Sequence, residues 1–212
     1  MEKRILIVDD HPLIALGIEN LLDHCGLRFT VDNSNKISDA FENLNKHNYE
    51  LIILDVFMPE GDTHSILHRV FQINPNQKVL IHSSASETIY ASHYLRLGAN
   101  GFVSKGSTQE QLTKAIQTVI SGKKYISDEV KDILLDELTK GTPANPFLIL
   151  SKRELEVAKL LAMGYSNLEI AKSFNLHAST IGTQKTRIYS KLGVNNQSEF
   201  DALSRLHSFY KT

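Results

Sequence analysis

Five polar residues stand where strand-like apolar runs stop: Asp9 and Asp10 after "RILIV", Asp55 after "ELIIL", Ser83 in "KVLIHSS" and Lys105 closing "GFVSK". Three carboxylates brought together at such ends repel one another, and a hard divalent cation is the simplest compensation. Mg²⁺ suits oxygen donors, typically binding through one or two carboxylates, phosphate oxygens and several waters. Asp9 and Asp10 are therefore expected to hold the ion while Asp55 turns one oxygen on phosphorus, since aspartyl-phosphates are established products of carboxylate nucleophiles. Lys105 would neutralise phosphoryl oxygens, and the Ser83 hydroxyl would donate to the same group. Taken singly, an Asp after a strand is usually a turn residue and such a Lys is usually solvated. The joint placement points to phosphoryl chemistry.

The elements that must position these residues can be read from periodicity. "RILIVDD", "FTVDN", "ELIILDV", "KVLIHSS" and "GFVSK" are separated by stretches long enough for one helix each, a five-fold βα repeat. Continuous apolar runs in the first, third and fourth imply burial on both faces. The expected fold is α/β, a five-stranded doubly wound parallel sheet with helices on either side, followed by a smaller all-α domain of four helices. In such sheets sites form at the carboxyl ends of the strands, where all five residues fall. Ser107 and Glu110 predict a capping box opening a helix that runs to Gly122.

Near residue 125 the composition shifts. "SDEVKDILLDELTKGTPANPF" begins as an amphipathic helix with Val130, Ile133, Leu134 and Leu138 on one side, then breaks at Gly141, Pro143 and Pro146. The expected domains are 1–124, a linker 125–147 and 148–212. Capping boxes at Ser151/Glu154, Ser166/Glu169 and Asn196/Glu199 each open a helix, and another runs from about Ser179 to Leu192. In that helix Ile181, Ile188 and Leu192 share one stripe, leaving Ser179, Thr183, Thr186 and Ser190 opposite, with Gly182 and Arg187 at the margins. That polar face suits a DNA major groove. Gly182, Thr183 and Thr186 are the candidates for base edges, and Lys185 and Arg187 for phosphates.

Composition agrees with two soluble modules. Net charge is −1 overall, but residues 151–212 carry 9 basic and 5 acidic side chains, a modest +4 that fits nucleic acid. No apolar run approaches the roughly 18 residues of a membrane span, and the N-terminus has no secretory pattern, so a cytoplasmic protein is expected. Cys25, the one cysteine, reads as a small core residue. His64 and His68, four apart, read as a solvated helix face, because a metal site needs three or four converging ligands.

"VDDHP", "LDVFMP", "HSSAS" and "GANGFVSK" resemble, in order and spacing, the receiver domain of bacterial two-component response regulators. "LSKRELEVAKLLAMGYSNLEIAKSFNLHASTIGTQKTRIYSKLGV" is similar to a LuxR-type helix-turn-helix. Together they cover nearly the whole chain and resemble the NarL/FixJ class of transcription factors. The resemblance implies that Asp55 accepts phosphate from a sensor histidine kinase, that the backbone carbonyl of Phe57 joins Asp9, Asp10 and Asp55 around Mg²⁺, and that Ser83 and Phe102 are the switch pair. It implies a regulator rather than an enzyme, forming a homodimer on activation and binding double-stranded promoter DNA. The family often has Pro where this chain has Gly106, and a cis bond to a non-proline residue costs about 2.5–4 kcal/mol, so none is expected there. Two rivals are a Mg²⁺-dependent phosphatase-like enzyme, which lacks a visible substrate cap, and a receiver working without phosphorylation, against which the full acidic set and Lys105 argue.

Overall fold

The computed structural model describes residues 3–24, 28–58, 63–140, 145–207 and 209. Cys25, Gly141 and Pro143 lie outside them, as do residues 59–62. The chain divides into two compact units, Met1–Asp132 and Ile133–Thr212.

The first unit alternates strands β1 (Arg4–Val8), β2 (Thr30–Ser34), β3 (Leu51–Leu54), β4 (Val79–Ser83) and β5 (Gly101–Ser104) with helices α1 (Pro12–His24), α2 (Ile37–Lys46), α3 (Thr63–Ile73), α4 (Glu87–Arg96) and α5 (Gln109–Ile120). All pairings are parallel and the sheet order is β2-β1-β3-β4-β5. The apolar runs are buried throughout β3 and β4, as expected of strands covered on both faces. On one face Ile5, Ile7, Leu51, Ile53, Leu80 and Val103 pack with Ile18, Leu22, Ile116 and Val119 of α1 and α5. Across the register, Val8 pairs with Leu54 and Ser83 with Ser104, so the chain leaves β1, β3, β4 and β5 at one edge.

Helix α5 starts one residue later than the sequence suggests. Ser107 donates its N–H to Ser104 O in the turn leaving β5, so it is engaged before the helix begins. Thr108 is the N-cap, in a capping box with Gln111. Tyr125 then donates its N–H to Asn100 O and bridges Gly101, so the start of the expected linker is tied to the sheet. Helix α6 (Asp128–Lys140) follows, with Val130 buried. His68 on α3 is exposed, as a solvated face requires.

The second unit holds a short 3₁₀ turn, Pro146–Ile149, then α7 (Lys152–Ala162), α8 (Asn167–Phe174), α9 (Ala178–Leu192) and α10 (Gln197–Leu206). Ser151/Glu154 and Ser166/Glu169 form the expected capping boxes. Asn196 caps α10 by accepting from Glu199 N, but the Glu199 carboxylate reaches past it to Asn195 N at 2.8 Å. Ile181, Ile188 and Leu192 turn into a core with Val157, Leu161, Ile170, Phe200 and Leu203. Helix α9 ends at Gly193, whose φ of 68° is the left-handed cap that glycine adopts without steric cost.

One ion pair ties α9 to α7. Lys191 Nζ donates to Glu154 Oε2 at 2.7 Å, while the same carboxylate accepts Ser151 N at 2.8 Å. The Lys191 hydrogen bond, then those from Ser151, hold the Glu154 carboxyl at about 2, well below 4.5. A folded value below the unfolded one stabilises above the unfolded pKa, and the gain is lost as pH falls toward the folded one. Glu154→Gln keeps the cap and removes the charge. It should destabilise the unit by about 1 kcal/mol at neutral pH, a figure discounted for the solvent around the lysine. In urea unfolding followed by circular dichroism, its difference from the parent should narrow as pH drops from about 5 to about 3.

Candidate functional site

The parallel order places the ends of β1, β3, β4 and β5 side by side, and the residues just beyond them meet there. Asp9 and Asp55 are 5% and 2% exposed, where bare carboxylates would be strongly disfavoured. Lys105 answers both: its Nζ lies 2.7 Å from Asp9 Oδ2 and 2.8 Å from Asp55 Oδ2. Burial alone would lower the pKa of Lys105, but hydrogen bonds to Asp55 and Asp9 and their negative charges outweigh it and hold the ammonium above its ordinary value.

The other Asp55 oxygen, Oδ1, accepts the Ser83 hydroxyl at 2.5 Å and Phe57 N at 3.2 Å. Both carboxylate oxygens are thus aimed by donors. Backbone bonds brace the frame: Asp55 N to Val8 O at 2.9 Å, Asp9 N to Ser34 O at 3.1 Å and Lys105 N to Ser83 O at 2.8 Å. Ser83 is fully buried, and Phe102, two residues before the Ser104 that faces Ser83 across the sheet, is buried too. The Phe57 ring is partly exposed and meets Tyr90 of α4 edge-on, 5.9 Å between centroids. Among the described residues no peptide bond is cis, so the bond before Gly106 is trans.

One donor atom each from Asp9, Asp10, His11 and Asp55 lies within 4.8 Å of the others. Among the described residues Asp10 Oδ1 is buried and accepts no hydrogen bond, with His11 Nδ1 2.8 Å away. Hard oxygen donors converging at one strand edge fit a divalent cation such as Mg²⁺. Two histidines were not anticipated from the sequence. His11 adjoins the acidic pair, and its only sequence signal is that adjacency. His82 lies buried under the site, and burial first, then the Lys105 charge, lower its pKa to about 4. It is therefore a neutral ring at pH 7, and its Nδ1 has no hydrogen-bond partner among the described residues.

On α9, Ser179, Thr183, Thr186 and Arg187 are exposed, and Gly182 and Lys185 half-buried. The Thr183 and Thr186 hydroxyls donate back to Ser179 O and Gly182 O, both at 3.1 Å. Their hydrogens are used inside the helix, leaving oxygen lone pairs and methyl groups to face outward. Lys185 Nζ sits 5.3 Å from the Tyr189 ring centroid. A Cβ built on Gly182 meets only Asn167 Nδ2, at 4.0 Å, so the free fold does not require glycine there.

Residues 5–117 match the family described as response regulator receiver domain, and residues 148–201 match bacterial regulatory proteins of the luxR family. Among curated relatives, the oxygen regulatory protein NreC of Staphylococcus carnosus is 34% identical, the alignment covering 92% of this chain and 94% of that protein. NreC of Staphylococcus aureus is 31% identical over the same shares. Among solved structures, RcsB dimers bound to two parallel DNAs superpose with a TM-score of 0.76 at 27% identity, covering 97% of this chain and 99% of that one. RcsB from Salmonella enterica serovar Typhimurium, bound to a promoter in the presence of the phosphomimetic BeF3⁻, gives 0.75 at 27% identity, covering 98% and 100%.

The shared ammonium makes Lys105 the electrostatic keystone of the edge. Lys105→Met should destabilise the chain by about 3 kcal/mol, because it strands two buried carboxylates. Added Mg²⁺ should raise the thermal midpoint of this variant more than that of the parent, since the cation then answers charge that the lysine no longer does. Scanning calorimetry with and without Mg²⁺ checks both effects.

Proposed function

Because this chain belongs to the response regulator family, a receiver domain joined to a LuxR-type DNA-binding domain, and is a DNA-binding response regulator, we propose that phosphorylation of Asp55 switches its binding to promoter DNA. The observation that most supports this is the convergence of Lys105 and Ser83 on the two oxygens of one buried carboxylate. We read 1–124 as the phosphoacceptor domain, 125–147 as the connecting arm and 148–212 as the DNA-binding domain.

The donor is a sensor histidine kinase, and the setting is the cytoplasm, where kinase and promoter are both accessible. An Asp55 oxygen attacks phosphorus, a P–O bond forms, the P–N bond to the donor imidazole breaks, and the electron pair leaves on that nitrogen, which is then protonated. Asp9, Asp10, Asp55 and the Phe57 carbonyl would hold Mg²⁺, which when bound neutralises charge on the phosphoryl oxygens. Lys105 moves its ammonium from the carboxylate to the phosphoryl group, and Ser83 redirects its hydroxyl to the same oxygens. Phe102 follows the space that Ser83 leaves. This is regulation rather than turnover of a substrate. A symmetric dimer suits repeated half-sites, because doubled contacts raise affinity.

On DNA, Thr183 and Thr186 face base edges, with methyl groups suited to thymine and oxygen lone pairs suited to amino donors, and Ser179 lies on the same polar face. Lys185 and Arg187 reach phosphates, and Gly182 lets the helix backbone come close.

With Mg²⁺ and a small acyl-phosphate donor, the chain should gain one base-labile, acid-stable phosphoryl group, and Asp55→Asn should abolish it. Undiminished labelling of that variant, read by intact mass, would place the acceptor elsewhere. In the DNA-binding domain, Gly182→Ala should stabilise the free fold by about 1 kcal/mol yet weaken specific operator binding. Lys185→Ala should weaken all sequences alike and lower the salt slope by about 1. Fluorescence-anisotropy titrations across a salt series separate the two, and unchanged operator affinity in Gly182→Ala would refute close approach.

A further inference from the structure

His11 is where this edge departs from an all-oxygen cation centre. Its Nδ1 lies 2.8 Å from Asp10 Oδ1 and 3.2 Å from Asp9 Oδ1. The contact with Asp9 has hydrogen-bond geometry. The shorter one with Asp10 does not, which is why that buried oxygen has no hydrogen-bonding partner. A ring nitrogen offers at most one hydrogen, so it cannot serve both carboxylates along its own N–H direction. Asp9 Oδ1 is in any case already served by the backbone N–H of His11 at 2.9 Å.

His11 Nδ1 stands from each of these carboxylate oxygens at the spacing of two ligands on one ion. In octahedral coordination with bonds of about 2.1 Å, neighbouring ligand atoms stand about 3.0 Å apart, and the two observed separations straddle that value. The His11 side chain is 65% exposed, so holding or releasing the ring disturbs little packing. Imidazole favours Co²⁺, Ni²⁺ or Zn²⁺ over Mg²⁺, which prefers oxygen and retains water.

We propose that His11 Nδ1 is a nitrogen ligand that lets this centre take a borderline first-row transition-metal ion, with Asp9, Asp10 and Asp55, whereas Mg²⁺ is held by oxygen atoms alone. The proposal rests on the reading that the acidic edge binds a divalent cation. It makes metal selectivity a property of the residue beside the acidic pair, and it makes such an ion a competitor of Mg²⁺ for the phosphoacceptor edge.

Isothermal titration of the full chain with Mg²⁺ and, separately, with Co²⁺ tests it in the parent, His11→Ala and Asp10→Asn, with the visible absorption of bound Co²⁺ recorded alongside. His11→Ala should lose about tenfold or more in Co²⁺ affinity and shift the Co²⁺ bands, while its Mg²⁺ affinity changes by less than about twofold, as expected for a ligand that Mg²⁺ does not use. Asp10→Asn should weaken both ions. If His11→Ala leaves the Co²⁺ affinity and bands unchanged, or weakens both ions equally, the nitrogen-ligand assignment is wrong, while weakened Mg²⁺ binding in Asp10→Asn keeps the cation edge itself. If Asp10→Asn changes neither ion, the underlying cation reading fails and the proposal falls with it.

Discussion

The first unit is organised around one ammonium shared by two buried carboxylates. Asp9 and Asp55 belong to adjacent strands and are almost wholly removed from water. At separations set by the sheet their like charges repel, and a cation between them offsets that repulsion. Lys105 supplies it from the end of β5, two strands away from β3, with β4 lying between. That reach exists because the sheet is parallel and every relevant strand ends on the same side. The apolar runs that drive β1, β3 and β4 into the core are therefore also what brings the charges together. Fold stability and site chemistry pull in opposite directions here, and the lysine is the compromise.

The second unit solves a different problem, which is to leave one helical face bare. Ile181, Ile188 and Leu192 anchor α9 from below, and Lys191 fixes its last turn to the cap of α7 through Glu154. With its far end clamped and its buried stripe packed, α9 can expose Ser179, Thr183, Thr186 and Arg187 without losing its place. The threonine hydroxyls bonded back into the helix show the economy of that face. Donor groups that would otherwise sample many orientations are held, and what is offered outward is short and rigid.

Much of this was legible in the chain because it is written in local pattern. Continuous apolar runs marked the buried strands, and strand ends marked Asp9, Asp10, Asp55, Ser83 and Lys105. Serine with glutamate three residues on marked α7 and α8 correctly. The same rule misplaced the start of α5, since Ser107 and Thr108 both have a suitable partner three residues later. Only the Ser107 N–H bond into the preceding turn decides between them. What was not legible is what depends on distant partners. Glu154 shows its cap in the sequence but not Lys191, 37 residues on. His82 reads as one polar residue inside an apolar strand, and only the assembled edge shows that it lies under the acidic pair as a neutral ring.

The arrangement around Asp55 also explains how a change at one oxygen can be felt beyond the site. Its carboxylate is the acceptor on which Lys105, Ser83 and Phe57 N all depend. Esterifying one oxygen removes the negative charge that Lys105 answers and adds a group bearing more charge further out. Ser83 cannot keep its bond and meet the new oxygens in the same rotamer, and it has no water to turn to, being fully buried. In the proposed phosphorylated state its movement would open space beside the strand that carries Phe102, while Phe57 would carry any shift of the β3 end to the Tyr90 ring on α4. Close packing makes these displacements discrete rather than gradual. In the phosphorylation reading, the buried hydroxyl and the two rings are thus the parts able to turn a charge change at Asp55 into a change of surface along β5 and α4.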